Sequence, residues 1–308
     1  MKKRPVIICT DPGIDDFIAM LILLQQNTLD IRGMIALSGN VGLPITVNNT
    51  LLAGELCGRP DVPVLSGSAK PLARPARSAA NIHGKSGLGQ SIERYSSRKP
   101  SAQDAAEFIV RTAREFPGEL EIISLGPLTD VARALQLDPG IAPLLRQSVV
   151  MGGGIKRGNA TQYAEFNIVA DPEAADVVFA SGAEVVMIGL DATHQCLQPR
   201  SQIAEMTSGM ELGRMVGLML NDYADMYARV HNLDGVVIHD AICALWLLQP
   251  ELFQTEQMRI RVCLDEGEHL GQTMPVSAGA PFATVAMGLD AGRVARRIVT
   301  EVQHAVNA

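Results

Sequence analysis

Up to about Ser201, short apolar runs rich in β-branched residues alternate with longer segments whose apolar residues recur at helical spacing. "PVIIC" is followed by "DDFIAMLILLQQ", "IRGMIALS" by "PITVNNTLLAGELC", "ELEIISL" by "GPLTDVARALQL", and "DPEAADVVFAS" by "AEVVMIGL". "RQSVVM" reads as a further strand that runs into "GGG". Such alternation means βαβ units, so the chain is read as α/β with a doubly wound, mainly parallel sheet and helices on both faces. From Ser201 the character changes to helices, "ELGRMVGLMLNDYADMYARV" and "HDAICALWLL". The tail, from "EQMRIRVCLDE", reads as edge strands and a last helix, "AGRVARRIVTEVQHA". No internal repeat or low-complexity tract occurs.

A length of 308 residues allows one large α/β domain or two smaller ones, and 47% hydrophobic residues can fill a substantial core. Aromatics are only 4%, so aliphatic and methionine side chains must do most of the packing. The net charge of -7 argues against a nucleic-acid backbone as partner, which requires a basic face. Five scattered cysteines without a CxxC pair suggest reduced, buried thiols in a cytoplasmic protein rather than disulfides or a zinc cage. The apolar run after "MKKR" is too short for a signal peptide, and no stretch is long and apolar enough to span a membrane.

Each strand candidate ends in small or polar residues: "TDPGIDD", "SGN", "GPLTD", "GGG" and "DATHQ". Ligands of open parallel sheets bind beyond the carboxyl ends of the strands, so these loops converge on one edge. In "CTDPGIDDF", Asp11 ends the first strand, and Asp15 and Asp16 open the next helix. One acid there would answer the positive end of a helix dipole, but three around a Pro-Gly turn point to a cation. With carboxylate and carbonyl oxygens at hand and no His or Cys at zinc spacing, calcium or magnesium fits. Asp240, preceded by His239 in "IHDAICA", is a further carboxylate at a helix start.

In "MGGGIKRGNATQYAEFNIVADPEAA", Asp171 to Ala174 reads as a helix cap with proline in the first turn. Asn159, Glu165 and Asn167 exceed what capping needs and suit a polyhydroxyl ligand such as a sugar. Gly152 to Gly154 lack the Gly-Lys-Ser/Thr of a phosphate loop and instead permit close backbone approach. Tyr223 and Tyr227 share a helix face, roughly with Met215 and Met219, as core packing or as ligand lining. The Ser-, Gly-, Pro- and Ala-rich stretch from Ser66 to Pro100 holds an isolated "IHG" and is long enough for a lid or binding loop as well as a linker.

Taken in order, "TDPGIDD", "SGN", "IHGKSGLG", "LGPLTD", "MGGG", "GNATQYAEFNIVADPEAA", "GLDATHQ" and "HDAICA" resemble the inosine-uridine-preferring nucleoside hydrolase family, through nearly the whole chain. The resemblance implies a single domain over residues 1–308 with the nucleoside hydrolase fold, cleaving the N-glycosidic bond of a ribonucleoside to free base and ribose. It implies one calcium ion, Ca2+, held by Asp11, Asp16, the backbone carbonyl of Leu125 and Asp240. Asp11 would also be the general base that takes a proton from water, and Asn40 would support metal and water. Asp15 and Asn167 would grip the 2′-hydroxyl, Asn159 and Glu165 the 5′ end, and Met151 would line the ribose pocket. His83 and His239 would flank the base, His239 as the acid for the leaving group, with Tyr223 and Tyr227 at base-side positions. A cytoplasmic homodimer or homotetramer, with a ribonucleoside as its small-molecule partner, completes what the resemblance implies.

The chain departs from the family pattern at Cys9, where Asp is usual, at Asp130, where Asn is common, and at Lys85, where an acid is frequent after "HG". The lone tryptophan, Trp246, lies inside a helical segment, so the expected pocket lacks the indoles on which purine-only members stack bases. A nonspecific or pyrimidine-leaning ribohydrolase follows. The rival readings are a non-catalytic nucleoside-binding paralogue and a metal-dependent phosphohydrolase. The second has against it the lack of a DxDxT-type nucleophile signature or a basic phosphate clamp near "TDPGIDD".

Overall fold

Every residue from Val6 to Cys9 is apolar because the strand they form is covered on both faces: Val6 and Ile8 join one core layer, Ile7 and Cys9 the other. The computed structural model describes residues 2–90, 92–207 and 209–308. Ser91, within the long loop read above, lies outside the described residues, as do Met1 and Ser208.

In chain order the strands are β1 (Arg4–Thr10), β2 (Leu29–Ala36), β3 (Val64–Ser66), β4 (Leu120–Ser124), β5 (Leu145–Met151), β6 (Val185–Ile188), β7 (Gln198–Pro199), β8 (Gly235–Val236), β9 (Phe253–Val262), β10 (Thr273–Pro275) and β11 (Phe282–Leu289). The helices are α1 (Ile14–Leu24), α2 (Leu43–Leu56), α3 (Ala80–His83), α4 (Ala105–Glu115), α5 (Thr129–Leu137), α6 (Phe166–Ala170), α7 (Pro172–Ala180), α8 (Leu190–Thr193), α9 (Arg200–Glu205), α10 (Glu211–His231), α11 (His239–Leu248) and α12 (Ala291–Asn307).

Nine strands form one sheet in the order β10-β9-β11-β6-β5-β4-β1-β2-β3. All neighbours from β11 to β3 pair in parallel, and only the β9 pairings are antiparallel. Helices α1, α2, α10, α11 and α12 cover one face; α4, α5 and α7 cover the other. The α/β, doubly wound, mainly parallel reading holds. Helix α1 is buried at every position from Ile14 to Leu24, so it is apolar all round rather than amphipathic.

The chain runs outward from β1 through β2 to β3, then returns to β4 on the other side of β1. At such a reversal the loops leaving neighbouring strands diverge to opposite faces and open a crevice. The loop after β1 begins with Asp11 and the loop after β4 with Leu125, whose N–H donates to the Cys9 carbonyl at 2.8 Å.

Three local expectations change. The segment read as edge strands contains β9, which lies between β10 and β11, so only β10 is at the edge. "DATHQ" lies largely within a short helix, α8, rather than an open strand end. Helix α4 follows the long loop and was not marked by the alternation; its N-cap Asp104 accepts from Ala106 and Glu107 N–H.

Candidate active site

Asp15 and Asp16 sit in the first turn of α1 and Asp240 in the first turn of α11, and the two helices pack against each other. One carboxylate oxygen from each lies within 4.8 Å of the other two, and all three residues are buried. Helix N-termini favour negative charge, which is why acids collect there. Asp16 is held in place by four donors: it accepts from Thr10 Oγ1 (2.7 Å), Asp11 N (3.1 Å), Gly13 N (3.0 Å) and Asn40 Nδ2 (3.0 Å). The Gly13 contact caps α1, so capping accounts for part of Asp16 but for none of Asp11, Asp15 or Asp240.

Asp11 lies beside this cluster and is fully buried. Its Oδ2 accepts from Asn40 N at 2.6 Å, whereas its Oδ1 has no hydrogen-bond partner. Burial, then repulsion from Asp16, holds Asp11 and Asp240 well above the usual carboxylate range, and burial raises Asp16. Asp15 is pushed up to about 8, by burial first and Asp16 second. Among the described residues no lysine or arginine pairs with any of the four. A buried set of this kind must take up protons or a cation. The partnerless oxygen and the all-oxygen donor set fit a hard dication.

Two glycines make room for Asp11. A Cβ on Gly39 would lie 2.0 Å from Asp11 Oδ2, and one on Gly126 would lie 2.1 Å from Oδ1. The loops after β2 and β4 therefore close on the carboxylate from both sides. The Asn40 carbonyl accepts from Ala79 N and Ser78 Oγ, both at 3.0 Å, tying the long loop to the same point.

On the β5 side, Asn167 Nδ2 donates to the carbonyls of Leu125 (2.7 Å) and Met151 (3.0 Å). Glu165 caps α6, with its Oε2 accepting from Gly153 N (3.1 Å) and Ile168 N (3.2 Å), and burial raises it to about 7. Its charge also raises Asp15. Asn159 is exposed at the rim, its Oδ1 accepting from Phe166 N at 2.9 Å. Glu165, Asn167, Met151 and Leu125 are thus gathered into the buried crevice, with Asn159 outside it.

An aromatic group stands beside Asp15. His83, at the end of α3, has Nδ1 3.9 Å from Asp15 Oδ1. That contact is no ion pair, because Nδ1 accepts from Ile14 N–H at 3.2 Å and burial lowers the imidazole to about 4. The His83 ring packs on Tyr223 (centroids 5.4 Å), and Tyr223 on Tyr227 (5.0 Å, edge to face). Tyr227 Oη is 3.2 Å from His239 Nε2, and His239 Nδ1 is 2.8 Å from Thr193 Oγ1. Met215 and Met219 lie in the core layer.

The crevice joins a carboxylate floor, an amide and acid wall, and a histidine and tyrosine wall. The family model described as inosine-uridine preferring nucleoside hydrolase matches residues 6–301. This chain belongs to that family. Nucleoside hydrolases cleave N-glycosyl bonds of ribonucleosides, and the chain is such an enzyme. It is similar to a nucleoside hydrolase named uridine nucleosidase 1 of Arabidopsis thaliana, 38% identical over 264 residues, which cover 85% of this chain and 79% of that one. It is also similar to the pyrimidine-specific ribonucleoside hydrolase RihB of Escherichia coli O9:H4 (strain HS), 35% identical over 277 residues, 89% of this chain and 88% of its relative. Among solved structures, a plant nucleoside hydrolase, the PpNRh1 enzyme, superposes with a TM-score of 0.93 at 32% identity, over 97% of this chain and 99% of the other. The purine-preferring ribonucleoside hydrolase from Gardnerella vaginalis also gives 0.93, at 29% identity, over 98% and 99%.

Sequence reasoning marked "SGN", "GPLTD" and "DATHQ" as clusters but did not single out Gly39, Gly126 or Thr193. Nothing local distinguishes these residues; their partners come from other strands. No helix among the described residues is long and apolar enough to cross a membrane.

Proposed function

We propose that the chain hydrolyses ribonucleosides to free base and ribose in a calcium-dependent reaction, with nonspecific or pyrimidine-leaning base preference. The observation that carries this reading is the buried Asp15, Asp16 and Asp240 cluster beside Asp11, whose Oδ1 has no partner. Asp11, Asp16, Asp240 and the Leu125 carbonyl would hold the ion. When bound, calcium supplies the charge that acidifies a water and orients the ribose diol.

The chain's own residues do the rest. Asp15 and Asn167 hold the 2′-hydroxyl, Glu165 and Asn159 the 5′ end, and Met151 lines the ribose. Asn40 fixes Asp11 through its N–H and Asp16 through its amide. As the glycosidic bond breaks, its electron pair moves to the base nitrogen and the sugar becomes oxocarbenium-like. The surrounding carboxylates stabilise that positive charge. Water attacks the anomeric carbon and gives its proton to Asp11. His239 gives a proton from Nε2 to the leaving base, and solvent exchange then resets both residues.

His83, Tyr223, Tyr227 and His239 wall the base side, and the only tryptophan, Trp246, instead packs on Phe253 and bonds Gln147. That wall, and relatives named for uridine and pyrimidine, support the leaning. We further propose that residues 1–308 act as one domain in a cytoplasmic homodimer or homotetramer.

The test is ribose release from inosine, adenosine, uridine and cytidine, with and without EDTA pretreatment. Calcium-restored release, fastest with uridine or cytidine, is expected. No release with calcium present would favour a nucleoside-binding protein without turnover.

A further inference from the structure

The "DATHQ" segment has no role in the reaction described so far. It forms α8, the turn that follows β6, and the surrounding chain holds it firmly. Leu190 N donates to Gly153 O at 2.9 Å, and Asp191 accepts from Ile155 N (2.6 Å) and Lys156 N (3.2 Å). The turn is therefore fixed to the loop that follows β5. At its end Thr193 is fully buried, and its Oγ1 lies 2.8 Å from His239 Nδ1. The His194 ring packs edge-on against the His239 ring at 5.3 Å.

We propose that Thr193 is a positioning residue for His239: it engages Nδ1, so that proton exchange with the leaving base runs through Nε2. The proposal rests on the reading of His239 as the leaving-group acid. A hydroxyl both donates and accepts, so Thr193 stays bonded to Nδ1 in either state of the ring. When Nε2 gives its proton to the base, Nδ1 keeps its own, so Thr193 Oγ1 accepts from Nδ1–H before and after the transfer. Branching at Cβ restricts the threonine's χ1, and burial fixes it further. The partner on the other side of the ring is less committed. Tyr227 Oη is 3.2 Å from Nε2 but also reaches the Val237 carbonyl at 3.4 Å. It can turn its O–H to Val237 when Nε2 serves the base. The two nitrogens are thus held unequally, Nδ1 by a fixed hydroxyl and Nε2 by one with a second acceptor.

Thr193→Val removes the hydroxyl at nearly constant volume, and Thr193→Ser keeps it while losing a methyl. Both are compared with the parent and with His239→Ala on uridine and on an activated nitrophenyl riboside, which needs no proton on its leaving group. For Thr193→Val, kcat on uridine should fall by about 10–100-fold, within the worth of a general acid, with KM little changed and less than about 3-fold loss on the activated substrate. Thr193→Ser should restore most of the uridine rate. The 15N spectrum of the His239 ring should show Nδ1 hydrogen-bonded in the parent and in Thr193→Ser, and altered in Thr193→Val. Equal losses on both substrates for Thr193→Val, or an unchanged ring spectrum, would overturn the proposal. So would a leaving-group-selective loss in His239→Ala without one in Thr193→Val, which would leave the acid reading standing. Equal losses for His239→Ala would instead remove that reading, and the proposal with it.

Discussion

Restoring an aspartate at position 9 on its own should weaken the protein, and Asp130 is the reason. Cys9 is 1% exposed, in the layer beneath β1 that α5 covers. Its thiol is pushed far up, by burial first and by the charge of Asp130 second. Asp130 is fully buried and accepts from Ser68 N (2.6 Å), Ser68 Oγ (2.9 Å) and Arg133 Nη1 (2.7 Å). Arg133 is already shared with Asp104 at 3.0 Å, so it cannot neutralise a third carboxylate. Cys9→Asp therefore adds a buried acid with no cation of its own, at a cost of about 3–5 kcal/mol. For a chain of 308 residues that is a loss of roughly 5–8 °C in Tm. Adding Asp130→Asn relieves the conflict by removing the second buried charge, and the amide oxygen still accepts from Ser68 N–H. The four proteins of the cycle, compared by urea unfolding, should give a coupling energy of about 2–3 kcal/mol in favour of the double variant. Additive effects, or a Cys9→Asp variant as stable as the parent, would refute the reasoning.

If Asp11 is the general base proposed above, Gly126→Ala should drop kcat by about 100-fold or more, because its Cβ would fall 2.1 Å from Asp11 Oδ1. Gly42→Ala meets no atom closer than 4.0 Å and should leave kcat within about 2-fold; equal effects would show that Asp11 tolerates movement. Cation removal should change how stability depends on pH. Burial raises Asp11, Asp15, Asp16 and Asp240 above the ordinary 3.8, repulsion adds to this for Asp11, Asp15 and Asp240, and Asp15 reaches about 8. Between those limits the folded state binds more protons than the unfolded one, so stability must fall as pH rises. In EDTA, Tm should decline from pH 5 to pH 8, and saturating calcium should cancel the decline; a flat profile in EDTA would mean that burial and repulsion do not raise these acids.

The sheet core was legible in the sequence because a strand buried on both faces needs an unbroken apolar run. Val6 to Cys9 and Val149 to Met151 supply such runs. The Asp11, Asp15 and Asp16 cluster was legible for the opposite reason: its charge density has no purely local explanation. Strand β3 was not legible because three residues, Val64–Ser66, carry no usable period. Helix α4 carried a signal, Asp104 followed three residues later by Glu107, but it lies just beyond the Pro- and Ser-rich loop. Position in the sheet is not a local property either, so the interior place of β9 could not be read from its residues. The same limit hid Gly39, Gly126 and Thr193. Each matters through a neighbour that folding brings from another strand or helix.

The meeting of Asp16 with Asp240 also sets an order of events for a newly made chain. Asp11, Asp15 and Asp16 leave the ribosome more than 220 residues before Asp240 does. Helix α1, which carries Asp15 and Asp16, is also buried partly by α12, later still in the sequence. A chain stopped before Asp240 can present three of the four carboxylates but cannot close the cluster. Capture of a dication there would report that two segments far apart in the sequence have docked.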